Sequence, residues 1–307
     1  MSFPSKQIML LATCCFASVP YYAQASTMNT TIIGSGSPDY NPERVSAGVL
    51  ITQGDTKILV DMGDGVNRNL NKLGINTRKL DALFFTHHHL DHNADFSILL
   101  NRVLLGRGAT LIAGPKQTKD YVDSNLSLYA EDLNYRLGKT NRTLKQREKH
   151  LTVNELKGGD SFTFNGIKIS TLSVPHTIET LAFRFDYKDQ SVVISGDLSS
   201  GPGFAEFAKD ANCLIMDSGG MIMNNGKNKK AKKSTSGKSK NHAHLNIRES
   251  SQIAAQANVD KLVYTHFKRG EINEKASLEI INKKYQGEVI FSSDLMPLDC
   301  ANVAQKK

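Results

Sequence analysis

Leu83-Phe84-Phe85-Thr86-His87-His88-His89-Leu90-Asp91-His92 joins an apolar run to four histidines and an aspartate within six positions. With a strand ending near Thr86, period-two alternation aims His87 and His89 to one side and His88 to the other. A turn then brings in Asp91 and His92. Imidazole nitrogen and carboxylate oxygen are ligands that zinc accepts, and residues just past a strand's C-terminal end lie where open α/β sheets hold their sites. A polar cluster fixed to a buried strand is costly unless something satisfies it. One histidine would carry little weight, because most pack or face solvent. This density points to metal.

The form H-x-H-x-D-H at His87, His89, Asp91 and His92 resembles the metallo-β-lactamase superfamily. In that family the first two histidines serve one metal, and the aspartate and last histidine serve a second. The resemblance implies further ligands at later strand ends, and candidates follow in order. Val174-Pro175-His176-Thr177 matches the third histidine, Ser195-Gly196-Asp197 the bridging aspartate, and Tyr264-Thr265-His266-Phe267 the final histidine. The implied arrangement sets His87, His89 and His176 on one metal, Asp91, His92 and His266 on the other, and Asp197 between them. Asp91 is counted among the catalytic residues as well as the ligands. The implied cofactor is two Zn2+, although Mn2+ or Fe suits the same donors. Two adjacent cations lower the pKa of a bridging water, and the resulting hydroxide is the expected nucleophile. The implied fold is a four-layer αββα sandwich of the α/β class in a single domain.

Finer resemblance lies in Ile32-Ile33-Gly34-Ser35-Gly36-Ser37-Pro38, Arg44-Val45-Ser46 and Val60-Asp61-Met62-Gly63-Asp64-Gly65. These look like the opening of ribonuclease Z and its arylsulfatase-like and small-phosphodiesterase relatives. In those relatives an acidic residue after a later strand pairs with a histidine that protonates the leaving oxygen. Asp217 and His244 match these positions, with His242 as a substitute. A carboxylate beside His244 would raise its pKa and fix its orientation, as a general acid requires.

Departures narrow the substrate. Only 20 residues separate His176 from Asp197, which leaves no room for the arm with which bacterial ribonuclease Z grips tRNA. Common zinc β-lactamases lack the aspartate at the Asp197 position. Glyoxalase-type thiolesterases add a helical domain that the 41 residues after His266 scarcely hold. The expected activity is hydrolysis of a phosphodiester or sulfate ester on a small anionic substrate, with no tRNA partner. A lactonase or other acyl hydrolase is the alternative, and a non-catalytic, metal-dependent binding protein is a third reading. The family often dimerises, so a homodimer is open.

Around these motifs, short β-branched runs alternate with amphipathic stretches, the pattern of an α/β domain. Strands are expected at 31–33, 48–52, 57–60, 82–86, 110–113, 168–174, 181–185, 192–195, 213–216, 262–265 and 289–291. Helices are expected at 66–73, 94–105, 116–129, 247–257 and 274–284. The polar stretch 131–150 reads as helix followed by loop on the rim.

The chain has 307 residues, 39% hydrophobic and 22% charged, ordinary values for a soluble globular protein. Its first 25 residues read as a signal peptide: Lys6 precedes an apolar run over 8–19, and Ala23-Gln24-Ala25 suits cleavage near Ala25. That run is shorter than the ~20 residues of a membrane span. A periplasmic or secreted location is expected for the remaining domain at 26–307. Cleavage leaves Cys213 and Cys300, read as two buried thiols because one pair makes no disulfide framework. The formal charge is +8, but seven lysines lie between Lys227 and Lys240 and an eighth is Lys6, so the rest is neutral. A nucleic-acid-binding face would need basic residues spread over the domain. Residues 224–240, almost wholly Asn, Gly, Lys and Ser, read as a mobile surface loop.

Overall fold

The computed structural model describes residues 27–219, 221, 224 and 243–301. The expected signal peptide at 1–25, His242 and all of the lysine-rich loop except Asn224 lie outside the described residues. Among those residues, no helix is long and apolar enough to cross a membrane.

Strands form where β-branched and aromatic residues cluster, because these side chains pack well on a pleated surface. The first sheet takes β1 (Met28–Gly34), β2 (Gly48–Gln53), β3 (Thr56–Val60), β4 (Ala82–Phe84), β5 (Thr110–Gly114) and β6 (Leu151–Glu155) in that spatial order. The second takes β7 (Ser161–Phe164), β8 (Ile167–Val174), β9 (Thr180–Tyr187), β10 (Gln190–Ile194), β11 (Cys213–Asp217), β12 (Lys261–Thr265) and β13 (Glu288–Phe291), also in order. The last strand, β14 (Met296–Leu298), returns to the first sheet and pairs with β1. Each sheet therefore has three antiparallel pairings followed by three parallel ones.

Alternation along the strands sorts the core into three apolar layers. Ile58, Val60, Ala82 and Phe84 face the second sheet and pack with Phe183, Phe185, Val192 and Ile215. Phe84 and Phe183 stack with ring centroids 5.5 Å apart. The opposite face of the first sheet, with Leu59, Leu83 and Phe85, packs on Val66, Phe96, Leu100 and Leu133 from helices. The outer face of the second sheet, with Val193, Leu214 and Met216, packs on Phe204, Ala254 and Ile281. The four layers are helix, sheet, sheet, helix, the αββα arrangement expected.

The structure adds elements that periodicity does not reveal. Strand β4 stops at Phe84, although Phe85 N still donates to Ala113 O. Strands β6 and β7 are short sheet edges: their apolar residues alternate with exposed polar ones but are only half-buried, and the pattern runs over just five and four residues. Strand β14 is three residues with a central proline. The rim stretch holds helix Ala130–Gly138 and then a second helix, Leu144–Glu148, begun by a Thr143–Gln146 capping box.

The cysteine expectation is overturned: Cys213 and Cys300 form a disulfide with Cα atoms 5.5 Å apart. Their separation of 87 residues hides the proximity. The chain closes on itself because β14 rejoins the first sheet and carries Cys300 back to the start of β11. Both cysteines are buried between the sheets.

Candidate metal centre

Loops leaving β3, β4, β8, β10, β11 and β12 converge, and each delivers polar residues that a strand core could not hold. After β4, His87 and His89 turn inward with ring centroids 4.7 Å apart. His88 turns the other way, with Nε2 3.0 Å from Thr118 Oγ1, as alternation requires. Helix Leu90–Asn93 follows at once and brings Asp91 and His92 inward. His176 follows β8, Asp197 follows β10, and His266 follows β12.

Two of these positions have unusual backbone. His266 has φ 62° and Asp61 φ 60°, left-handed conformations uncommon for residues other than glycine. A Cβ on Gly63 would run into the carbonyl oxygen of Asp91, so only glycine lets this turn approach the ligand loop.

The inward atoms fall into two sets that share Asp197. In the first, His87 Nε2 and His176 Nε2 lie 3.1 and 3.4 Å from His89 Nδ1. Asp197 Oδ2 is 3.8 Å from His87 Nε2 and 3.7 Å from His176 Nε2. In the second, His266 Nε2 lies 2.9 Å from Asp91 Oδ2 and 3.4 Å from His92 Nε2. The other Asp197 oxygen, Oδ1, stands 3.5 Å from His92 Nε2 and 3.6 Å from His266 Nε2. Donors about 2.0–2.1 Å from a tetrahedral zinc lie about 3.3 Å from one another. Both sets approach that spacing, with one Asp197 oxygen in each. The seven expected ligands are thus brought together in the expected grouping.

The hydrogen bonds behind the rings fix which nitrogen looks inward. Asp61 Oδ2 accepts from His92 Nδ1 at 2.8 Å and from Thr86 Oγ1 at 2.8 Å. Thr86 has thereby used its only proton, so at 2.9 Å it accepts from His87 Nδ1. His176 Nδ1 donates to Ala243 O. With Nδ1 engaged in this way, each ring turns its Nε2 toward the centre, where a cation would take the lone pair. One carboxylate, Asp61, orients a histidine in each set, as outer-shell partners of metal-binding histidines do.

Asp61 is the functional residue that sequence reasoning missed. Its signal was an aspartate directly after the apolar strand β3, inside a motif already noted for its resemblance. Asp61→Ala is expected to weaken metal binding by about 10–100-fold. Chelator competition, with circular dichroism to verify folding, checks it.

The charges of the centre call for cations. Burial would push the Asp197 carboxyl up, but the charges of His266 and His92 hold it well below the usual range. Burial likewise opposes charge on His92, yet Asp197 and Asp61 raise it well above an ordinary imidazole. His266 is pushed up to about 10 against its burial by Asp197, Asp217 and Asp91. Burial, reinforced by the charge of His92, lowers His87. Protons alone can balance the buried carboxylates only by charging rings that burial disfavours. Divalent ions would do so without that conflict, and their binding would release the protons.

Beside the two sets, Asp217 Oδ2 accepts from His244 Nδ1, while its Oδ1 lies 3.4 Å from His266 Nδ1. The hydrogen bond from His244 raises that ring's pKa against partial burial, and the Asp217 charge adds to it. The His244 ring lies 5.5 Å from His176 and 5.6 Å from His266. A small cavity of about 30 Å³ is lined by Asp61, His92, Ser195, Asp197, Asp217 and His266.

Comparison with known proteins places this geometry. Residues 56–267 match the family described as the β-lactamase superfamily domain. A ribonuclease Z of Mycobacterium marinum is 28% identical over 253 residues, 77% of this chain and 85% of that protein. The metallo-β-lactamase fold protein YhfI from Bacillus subtilis superposes with a TM-score of 0.67 at 22% identity, covering 88% of this chain and 98% of that one. The short form of human tRNase Z gives 0.65 at 20% identity, covering 89% and 100%. At these identities the two solved structures speak for the fold. The matched family and the shared architecture together establish that the chain belongs to the metallo-β-lactamase superfamily of metal-dependent hydrolases.

Proposed function

We propose that the protein is an exported, dinuclear-metal phosphodiesterase acting on small anionic esters. The carrying observation is the split of Asp197, one oxygen toward each donor set, beside the Asp217–His244 pair. His87, His89, His176 and Asp197 Oδ2 would hold one cation. Asp91, His92, His266 and Asp197 Oδ1 would hold the other. When bound, the two ions supply Lewis acidity and water activation.

The chain's own part is positioning and proton transfer. Asp61, Thr86 and Asp217 hold the ring orientations. Asp91 would help to hold the second cation and would accept a hydrogen bond from water at the centre. With Nδ1 occupied by Asp217, the Nε2–H of protonated His244 is the donor to the leaving oxygen.

The ribonuclease Z and tRNase Z relatives favour phosphorus over sulfur as the reacting centre. A small substrate is favoured over tRNA because only the hairpin of β9 and β10 lies between His176 and Asp197. The Cys213–Cys300 disulfide supports export, since such bonds persist in oxidising compartments.

The deciding experiment compares bis(p-nitrophenyl) phosphate, p-nitrophenyl sulfate and a lactone as substrates. Preference for the phosphodiester is expected. Preference for the sulfate or the lactone would move the activity to the corresponding branch.

A further inference from the structure

Leu90 and Ile178 are large apolar side chains exposed within the loops that carry the candidate ligands. Leu90 is 78% exposed and stands between His89 and Asp91, on the first turn of helix Leu90–Asn93. Its neighbours turn into the centre while it faces water. Ile178 is 40% exposed and lies two residues beyond His176. Thr177, between them, brings Oγ1 to 3.3 Å from His89 Nε2, so the two loops meet beside that ring. Neither side chain belongs to any of the three apolar layers. Apolar surface left in water beside a polar site gains by being covered. Leu90 directly follows the donor His89 and Ile178 lies two residues past the donor His176, where the two loops meet, so a molecule that reaches this donor set is the one placed to cover them.

We infer that Leu90 and Ile178 are specificity residues that hold the organic substituent of the ester, so that the centre prefers aryl or larger alkyl phosphodiesters over methyl esters. This rests on the phosphodiesterase reading of the same site. The phosphoryl group would meet the cations while the carbon part lies on this apolar rim. An aromatic ring covering part of both side chains corresponds to about a tenfold preference over a methyl group.

The test measures binding, so that it stands apart from turnover. Zinc-loaded full-length protein is titrated calorimetrically with phenylphosphonate and with methylphosphonate, as wild type and as the double variant Leu90→Ser, Ile178→Ala. Metal content of the variant verifies that the centre is intact. The expected result is roughly tenfold tighter binding of phenylphosphonate by the wild type, with the difference lost in the variant and methylphosphonate affinity unchanged. No phenyl preference in the wild type, a preference retained in the variant, or equal loss of both ligands would overturn the assignment. Hydrolysis of bis(p-nitrophenyl) phosphate is measured separately. A rim-dependent phenyl preference without turnover would sustain the apolar rim and remove the phosphodiesterase reading beneath it.

Discussion

Replacing His244 with alanine is expected to slow hydrolysis of phosphodiesters with poor alkoxide leaving groups by about 10²–10⁴-fold, and of p-nitrophenyl esters far less. An alkoxide needs a proton as it departs, whereas p-nitrophenolate is stable without one. His244 is the proposed donor: Asp217 holds its Nδ1, and its ring centroid lies 5.5 Å from that of His176 and 5.6 Å from that of His266. Metal content should not change, because His244 lies outside the two donor sets that share Asp197. Equal losses on both leaving groups would remove the acid assignment.

The pH dependence follows from the same pair. A general acid works below its pKa, and the hydrogen bond to Asp217 raises that of His244 above 6.5. The rate on poor leaving groups should therefore fall along an alkaline limb above that value. Asp217→Asn removes the charge and should move the limb to lower pH. Its metal content must be followed too, since Asp217 also faces His266 Nδ1.

The second large effect is on stability. Replacing Cys213 and Cys300 with alanine is expected to cost about 2–5 kcal/mol. The bond closes a loop of 87 residues, which restricts the unfolded chain strongly in the chain-entropy view. It also secures the C-terminal segment that delivers Asp294. The Asp294 carboxylate accepts from Ser35 N, Ser35 Oγ, Val45 N and Asn69 Nδ2. Those contacts tie β1 and the helix Val66–Lys72 to the segment before β14. Urea unfolding with and without reductant checks it: reductant should lower the wild-type midpoint and leave the alanine variant unmoved. A wild-type midpoint indifferent to reductant would mean that the bond does not constrain the fold.

The first part of the candidate metal centre was legible because it is local. In His87 to His92, alternation and one short turn decide which side chains face inward, and His88 turns away for the same reason. His176, Asp197 and His266 were legible because each follows an apolar run that reads as a strand. Asp61 was not given a role, because what it does depends on Thr86 and His92, which lie 25 and 31 residues away. Edge strands such as β6 escaped because their period of two runs over only five residues and buries its apolar side chains only in part. The disulfide escaped for the opposite reason to the cluster: its partners meet only after β14 has crossed back to the first sheet. Exposure of Leu90 and Ile178 was equally invisible, because it depends on how the loops that carry the candidate ligands are placed.

The most direct measurement is metal content by elemental analysis, on wild type and on Asp197→Ala. The account predicts about two divalent ions per chain in the wild type and fewer in the variant, because Asp197 lends an oxygen to each donor set. No bound metal in the wild type, or full occupancy retained without Asp197, would contradict it.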